Sequence, residues 1–145
     1  DIADYFLDKD LKIIETKDNH DKHQTTKSKN DPIFNMPVII LANGNTASAS
    51  EVLIGALKDN NRAVIVGKKS FGKGLVQEIN NLPDGSALHI TIQKYLTPSG
   101  TDIHKKGITP DYEVDLTEQD IKDKKDPQLA KACEILQKQV HKYSK

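Results

Sequence analysis

The amino-acid sequence predicts an α/β domain in which a mixed sheet is flanked by helices. Residues 37–42 ("PVIILA") form a continuous apolar run with β-branched side chains, as expected of a strand covered on both faces. The chain of 145 residues is long enough for one domain. After a turn at residues 43–45 ("NGN"), apolar residues return at the spacing of one helix face: Ala49, Val52, Leu53, Ala56 and Leu57.

The N-terminal part of the chain predicts two short elements and one loop. Residues 2–7 carry apolar side chains at helical spacing, and residues 11–16 ("LKIIET") indicate a short strand. Residues 17–31 contain no apolar side chain. Because such a segment cannot bury itself, we expect it to be a flexible polar loop.

Further strands and a final helix are predicted after the central strand, turn and helix. A hairpin turn is expected at residues 83–85 ("PDG"). The final helix is predicted to start with Asp126 as its N-cap and Pro127 at its first position. The strands are expected at residues 63–66, 75–79 and 86–96.

Charge and cysteine content exclude several classes of function. The 21 basic and 21 acidic residues cancel, so no overall field attracts nucleic acid or an anionic membrane. No apolar run approaches the roughly 18 residues of a membrane-spanning helix. The single cysteine, Cys133, excludes an internal disulfide. Because the first residue is Asp1 and no apolar leader precedes the domain, we expect the chain to be a piece of a longer one.

The predicted helix start places Ser48 where a nucleophile is favoured. Backbone N–H groups in the first turn of a helix lack partners, and the positive end of the helix dipole favours a nearby negative charge. The N–H of Ala49 is therefore placed to stabilise the oxyanion of an acyl-transfer reaction. The alternative is a capping box, because Ser48 and Glu51 fit the S-x-x-E pattern, which needs no catalysis.

A candidate base for Ser48 lies in residues 71–74 ("FGKG"), where flanking glycines let the backbone turn sharply around Lys73. Lysine acts as a base only when neutral, so such a site must be at least partly dry. The alternative is a solvated surface lysine, the usual environment of this residue type. Two overlapping motifs are disfavoured. A phosphate loop lacks its hydroxyl at Gly74, and the glycines disrupt the helix of an S-x-x-K motif at residues 70–73.

Residues 40–114 resemble the carboxyl-terminal processing peptidases, also called tail-specific proteases. The resemblance rests on motifs in family-like order, from "ILANGNTASASE" through "FGKG" to "GITPDYEV". Looser similarity in "DYFLDKDLKIIETK" and "DPQLAKACEIL" extends it over most of the chain. It implies the fold of the Clp protease and crotonase group and a Ser/Lys catalytic dyad.

The resemblance also implies roles for single residues. Ser48 matches the family nucleophile, and Lys73, 25 residues later, matches the general base. Gln77 matches a glutamine that orients the lysine, and the Ala49 N–H is implied as an oxyanion donor. Asp59 matches an acidic position that supports the site in some members; we expect it to be structural and to face Arg62.

Departures from the family pattern are small within these motifs. Thr46 stands where the family usually has serine, and Ser70 stands where it often has threonine. Both keep a hydroxyl, so neither threatens the dyad. A PDZ domain and the Gly-rich segment that supplies a second oxyanion donor in the family are not found in residues 1–145. We therefore expect one domain, a fragment of a catalytic core. Whether this fragment is active by itself does not follow from the sequence.

The implied function is that of a serine endopeptidase that cleaves proteins near their C-terminus through an acyl-enzyme. The expected partners are protein or peptide substrates presenting a C-terminal tail, and the PDZ domain of the same full-length chain. Neither a metal nor another cofactor is expected. Family members work outside the cytoplasm, in the periplasm, at the cell envelope or in the thylakoid lumen, and the same location is implied here.

Two other interpretations remain open at this stage. His89 or His104 would serve Ser48 in a Ser-His-Asp triad, because such triads follow geometry and not sequence order. A fold-retaining binding or scaffold module would have no catalysis at all. A metal site at His20 and His23 is disfavoured, because this H-x-x-H pair has no Glu or Cys companion.

Overall fold

A computed structural model describes residues 2–143 of the protein. A 3-10 turn, Ile2–Tyr5, opens this range. The strands are β1 (Lys12–Asp18), β2 (His23–Lys27), β3 (Val38–Ala42), β4 (Ala63–Gly67), β5 (Leu75–Asn81), β6 (Ala87–Leu96) and β7 (Tyr112–Glu113). The helices are α1 (Ala49–Asp59), α2 (Glu118–Lys122) and α3 (Pro127–Tyr143). Within this range, none of the helices combines the length and apolar character needed to cross a bilayer.

The strands of the described range form two sheets. One sheet is antiparallel with the order β2-β1-β6-β5, and the other is parallel with the order β3-β4-β7. Parallel neighbours need a crossover, which α1 supplies between β3 and β4, whereas a tight turn joins β5 to β6. Helix α1 contacts both β4 and β1, and α3 packs against β3 and β4. The α/β class is confirmed, with two sheets in place of the single mixed sheet expected.

Helix α1 is buried against both sheets, which fixes its N-terminal end. Ala56 and Leu57 pack into a core cluster with Ile13 of β1. Ile54, on another side of the helix, packs with Ile65 of β4 in a second cluster. Burying one such large aliphatic side chain contributes about 1.5–3 kcal/mol. The predicted apolar stripe is confirmed for residues 52–57, whereas Ala49 at its start is exposed. The residue that precedes α1 is thereby held at a rigid helix start.

Most predicted elements lie where the sequence places them. Strands β3 to β6 and the 83–85 turn match their expected positions. Helix α3 starts at Pro127, and Asp126 Oδ1 accepts a hydrogen bond from Leu129 N at 2.8 Å, as expected of an N-cap. The helix predicted at residues 2–7 is shorter, a single 3-10 turn.

The flexible loop predicted at residues 17–31 is wrong for much of its length. Strand β1 extends to Asp18, and β2 pairs with it antiparallel. Every side chain of β2 is exposed, so this strand needs no apolar residue and is held by backbone pairing. Asp18 Oδ1 closes the connecting turn by accepting hydrogen bonds from the N–H groups of His20 and Lys22.

The pH dependence of α3 stability is expected to depend on Glu134. Hydrogen bonds and ion pairs from Lys138 and Lys131 lower the pKa of Glu134 to about 2. Because the folded-state pKa lies below the usual 4.5, this stabilisation is present above pH 4.5 and is lost as the pH falls toward 2. We expect Glu134→Gln to lower the melting temperature slightly at pH 6 and not at pH 2. An equal difference at both pH values would contradict this.

Candidate active site

The turn between β3 and α1 presents Ser48 in a strained conformation. Strand β3 ends at Ala42, and Thr46 N donates to Asn43 O at 2.9 Å to close the turn. Ser48 is the N-cap of α1, with φ 58° and ψ −120°. This combination of φ and ψ lies in a region that residues other than glycine rarely populate; such strain costs about 1–3 kcal/mol and clusters at functional sites. A strained strand-to-helix turn of this kind also exposes the nucleophilic serine of α/β-hydrolases.

The helix start has both contacts of the expected capping box, one from each side chain. Glu51 Oε2 accepts from Ser48 N at 2.9 Å, which is the glutamate half of a capping box. The Ser48 hydroxyl approaches the backbone of Glu51 in the manner of such a box, but it makes no cap hydrogen bond of normal geometry. Glu51 N donates instead to the Ser48 carbonyl oxygen at 2.9 Å. The Ser48 hydroxyl is half-buried at this helix start.

The N–H of Ala49, predicted as an oxyanion donor, lies in the first turn of α1. Ala49 is the first residue of α1 and is exposed. Among the hydrogen bonds of residues 2–143, none uses its N–H, as is usual for the first turn of a helix. The group is directly adjacent to Ser48 and is free to bind a negatively charged oxygen.

Lys73 lies in a loop that is packed tightly through its glycines. Gly72 has φ +90°, and a Cβ built there would lie 2.8 Å from Gly107 N. A Cβ at Gly74 would lie 2.7 Å from His104 N. The backbone of Lys73 is therefore pressed against residues 103–107, which only glycines on both sides permit. Its side chain is exposed, so the dry surroundings that we predicted for a neutral lysine are not supplied by the described residues.

One buried carboxylate joins the two segments that carry Ser48 and Lys73. Glu51 Oε2, which accepts from Ser48 N, also accepts from Lys73 N at 2.8 Å. The two amide nitrogens are therefore separated by no more than the sum of these two distances. A second link runs from Phe71 N to Thr46 O at 2.9 Å. Residues that lie 25 positions apart in the sequence are thus brought to neighbouring loops.

The sequence pattern showed only one part of the function of Glu51. The S-x-x-E spacing predicts its bond to Ser48 N, and the structure contains that bond. The remaining bonds of Glu51, to residues 70–73, have no local signature in the sequence. The sequence also assigned no role in the site to Ser70. Its buried hydroxyl donates a hydrogen bond to Glu51.

Gln77 lies at the start of β5, beyond Lys73. It pairs with Thr91 of β6 directly after an irregularity in the strand register between Val76 and Gln77. Its side chain is exposed, and no hydrogen bond of that side chain is found within residues 2–143. The predicted orienting contact between Gln77 and Lys73 stays a prediction.

The expectation that Asp59 faces Arg62 is wrong. Asp59 Oδ2 accepts a hydrogen bond from Ser99 N at 2.9 Å. Arg62, beyond the end of α1, donates instead to three carbonyl oxygens, those of Phe6, Phe34 and Met36. The reason is geometric, because the chain reverses at residues 60–61 and carries Arg62 toward the N-terminal segment. Asp59 therefore anchors the loop that contains Ser99.

The histidines do not form the alternative sites within the described part of the chain. His89 is exposed in β6. His104 Nδ1 is buried without a hydrogen-bond partner, and Asp102 Oδ1 binds its backbone N–H, not its ring. His23 contacts Glu15, and no group of three potential metal ligands is found among residues 2–143. The rings of His89 and His104 are therefore not oriented by a carboxylate, as a Ser-His-Asp triad requires.

Comparison with known sequences gives a consistent family. A model of Peptidase family S41 matches residues 1–114. The carboxyl-terminal-processing protease of Picosynechococcus sp. is 44% identical over 111 residues, which make up 77% of this chain and 27% of that protein. Carboxyl-terminal-processing peptidase 1, chloroplastic, of Arabidopsis thaliana is 43% identical over 111 residues, 76% of this chain and 23% of that protein. The chain spans about a quarter of the length of these curated relatives.

Solved structures give the same result for the fold. The photosystem II D1 C-terminal processing protease superposes with a TM-score of 0.73 at 39% identity, covering 79% of this chain and 30% of that chain. The tricorn protease superposes with a TM-score of 0.60 at 13% identity, covering 96% of this chain and 13% of that chain, which shows the fold alone. The Clp-like fold implied by the resemblance is confirmed. Because the family match covers most of its residues, the chain belongs to peptidase family S41.

Proposed function

We propose that this chain is the catalytic core of a longer serine endopeptidase, in which Ser48 is the nucleophile and Lys73 the general base. The observation that carries the proposal is the single oxygen atom, Glu51 Oε2, that binds the backbone N–H groups of both residues. A shared acceptor holds the two backbones at one distance, as proton transfer between their side chains requires. Membership of the family supports the same class of reaction.

The proposed mechanism is acyl transfer in two stages. Neutral Lys73 Nζ takes the proton of the Ser48 hydroxyl as Oγ attacks the carbonyl carbon of the scissile peptide bond. The resulting oxyanion binds the N–H of Ala49 and a second donor from elsewhere in the full-length chain. As the C–N bond breaks, the Lys73 ammonium returns the proton to the leaving amine. Water, deprotonated by Lys73, then releases the acyl group and restores the Ser48 hydroxyl.

The bound substrate and Gln77 are proposed to make the Lys73 amine ready to accept a proton. Bound substrate covers the exposed Lys73 side chain and removes water, which favours the neutral amine. Gln77, at the start of β5, orients the amine toward Ser48. The reaction needs neither a metal nor another cofactor.

The substrate, partner and location are proposed from the relatives. Those relatives are called carboxyl-terminal processing proteases, so we propose that this protein cleaves peptide bonds near the C-terminus of its protein substrates. A PDZ domain in the same full-length chain presents the tail to the site. Chloroplast and cyanobacterial relatives suggest that the enzyme works outside the cytoplasm.

Covalent labelling with a serine-directed phosphonylating probe tests this function. We expect the full-length enzyme to bind one equivalent of a fluorophosphonate at Ser48, located by peptide mass spectrometry, and Ser48→Ala to bind none. Ser50→Ala, at an exposed serine two positions away, is the matched control and keeps full labelling. Labelling that persists in Ser48→Ala would contradict the nucleophile. Labelling lost in His89→Ala or His104→Ala would favour a triad instead of the dyad.

A further inference from the structure

Glu51 is a buried carboxylate whose four partners are all hydrogen-bond donors. Its side chain is 0% exposed. Oε1 accepts from Ser70 Oγ at 2.5 Å and from Gly72 N at 2.7 Å, and Oε2 accepts from the backbone N–H groups of Ser48 and Lys73. Both oxygens therefore act only as hydrogen-bond acceptors in these contacts. Among residues 2–143, no lysine or arginine forms an ion pair with it.

The second capping box of the protein shows what helix capping alone requires. At the start of α2, Asp120 Oδ2 accepts from the N–H and the hydroxyl of Thr117. That aspartate binds its own N-cap residue and lies near the surface. Glu51 makes the equivalent bond to Ser48 N and three more to residues 19 to 22 positions later. Capping of α1 does not account for those three bonds.

Burial of a carboxylate without an ion pair is costly unless hydrogen bonds replace its lost hydration. Here the replacements come from the two loops of the proposed dyad. Ser70 extends the link, because its hydroxyl also accepts from Ile108 N at 2.7 Å, and Ser70 N donates to Ile108 O. The carboxylate therefore fixes the loop of Lys73 to the start of α1 on one side and to residue 108 on the other.

We infer that Glu51 is a positioning residue of the proposed peptidase, which sets the distance between nucleophile and base through their backbones. The inference rests on the proposed function. Glu51 has no accessible surface with which to touch a substrate, so its effect must act through Ser48 and Lys73. A misplacement of about 1 Å in a catalytic group lowers the rate by about 100-fold. Loss of this carboxylate is therefore expected to affect the chemical step more than substrate binding.

The variant Glu51→Gln in the full-length enzyme tests the inference, because it keeps the shape and replaces one acceptor oxygen with a donor. We expect kcat for peptide cleavage to fall by at least about 100-fold, while KM changes by less than about threefold. Amide hydrogen exchange at Ser48 and Lys73 is expected to rise by at least about tenfold, with exchange at Ile65 unchanged. Asp120→Asn, which removes the corresponding charge from the α2 capping box, is the matched control and keeps the wild-type kcat.

A kcat within about threefold of wild type would overturn the inference. Unchanged exchange at Ser48 and Lys73 would overturn it as well, and this readout does not depend on any peptidase activity. An inactive wild-type enzyme would instead contradict the proposed function. If Glu51→Gln does not fold, Ser70→Ala is measured: a reduced kcat that Ser70→Thr restores supports the inference, and a wild-type kcat in Ser70→Ala contradicts it.

Discussion

Lys73→Ala is expected to abolish peptide cleavage by the full-length enzyme without unfolding it. A positioned general base contributes about 10²–10⁴-fold to the rate. We therefore expect kcat for a peptide with an apolar C-terminus to fall by at least about 100-fold. The Lys73 side chain is exposed, so its removal leaves no cavity, and exposed substitutions of this kind change stability by less than about 0.5 kcal/mol. Steady-state kinetics and thermal unfolding, measured on the same preparation, separate the two effects.

The control for this prediction comes from the same loop. Lys69 is also exposed and lies four positions before Lys73, outside the residues that Glu51 binds. Lys69→Ala removes the same charge and is expected to keep the wild-type kcat. If Lys73→Ala retained activity within about tenfold of wild type, Lys73 would not be the base. Equal losses in both variants would indicate that positive charge in this loop matters and not one amine.

Local patterns in the sequence predicted the positions of most elements, because apolar periodicity differs between strands and helices. The apolar run at residues 37–42 predicted β3, and the helical stripe predicted α1. The run overstated burial, since only Ala42 of β3 is buried and Leu41 is exposed. The start of α3 at Pro127 was equally predictable, because a proline at the first helical position loses no hydrogen bond. Strand β2 was not predictable in this way, since it is held by backbone pairing and buries no side chain.

Contacts between distant segments were beyond the reach of local patterns. The positions of Ser48 and Lys73 followed from a family resemblance, but the atom that connects them did not. Glu51 has the spacing of a capping residue, and its bonds to residues 70–73 exist only after the chain has folded. The prediction that Asp59 faces Arg62 was wrong for the same reason. Its partner, Ser99, is 40 positions away, whereas the expected partner, Arg62, is only three positions away.

Gly72→Ala is expected to damage the proposed site strongly, although it adds a single methyl group. Gly72 N donates to Glu51 Oε1, and Gly72 O accepts from Lys105 N at 2.9 Å. A Cβ would lie 2.8 Å from Gly107 N and 3.0 Å from Ile103 O, both backbone atoms that cannot rotate away. The loop must therefore move, which breaks its bonds to Glu51 and displaces Lys73. We expect kcat to fall by at least about 100-fold.

The matched variant is Gly85→Ala, which separates packing from backbone strain. Gly85 has φ +85°, close to the +90° of Gly72, but its Cβ would have no atom within 4 Å. Gly85→Ala should therefore cost only the left-handed conformation, about 1–2 kcal/mol of unfolding free energy. Gly72→Ala should cost about 1–3 kcal/mol more, since overpacking is added, and denaturant unfolding measures both. Equal losses of stability and wild-type kcat in both variants would mean that the loop moves freely, and that its contact with Glu51 does not place the lysine.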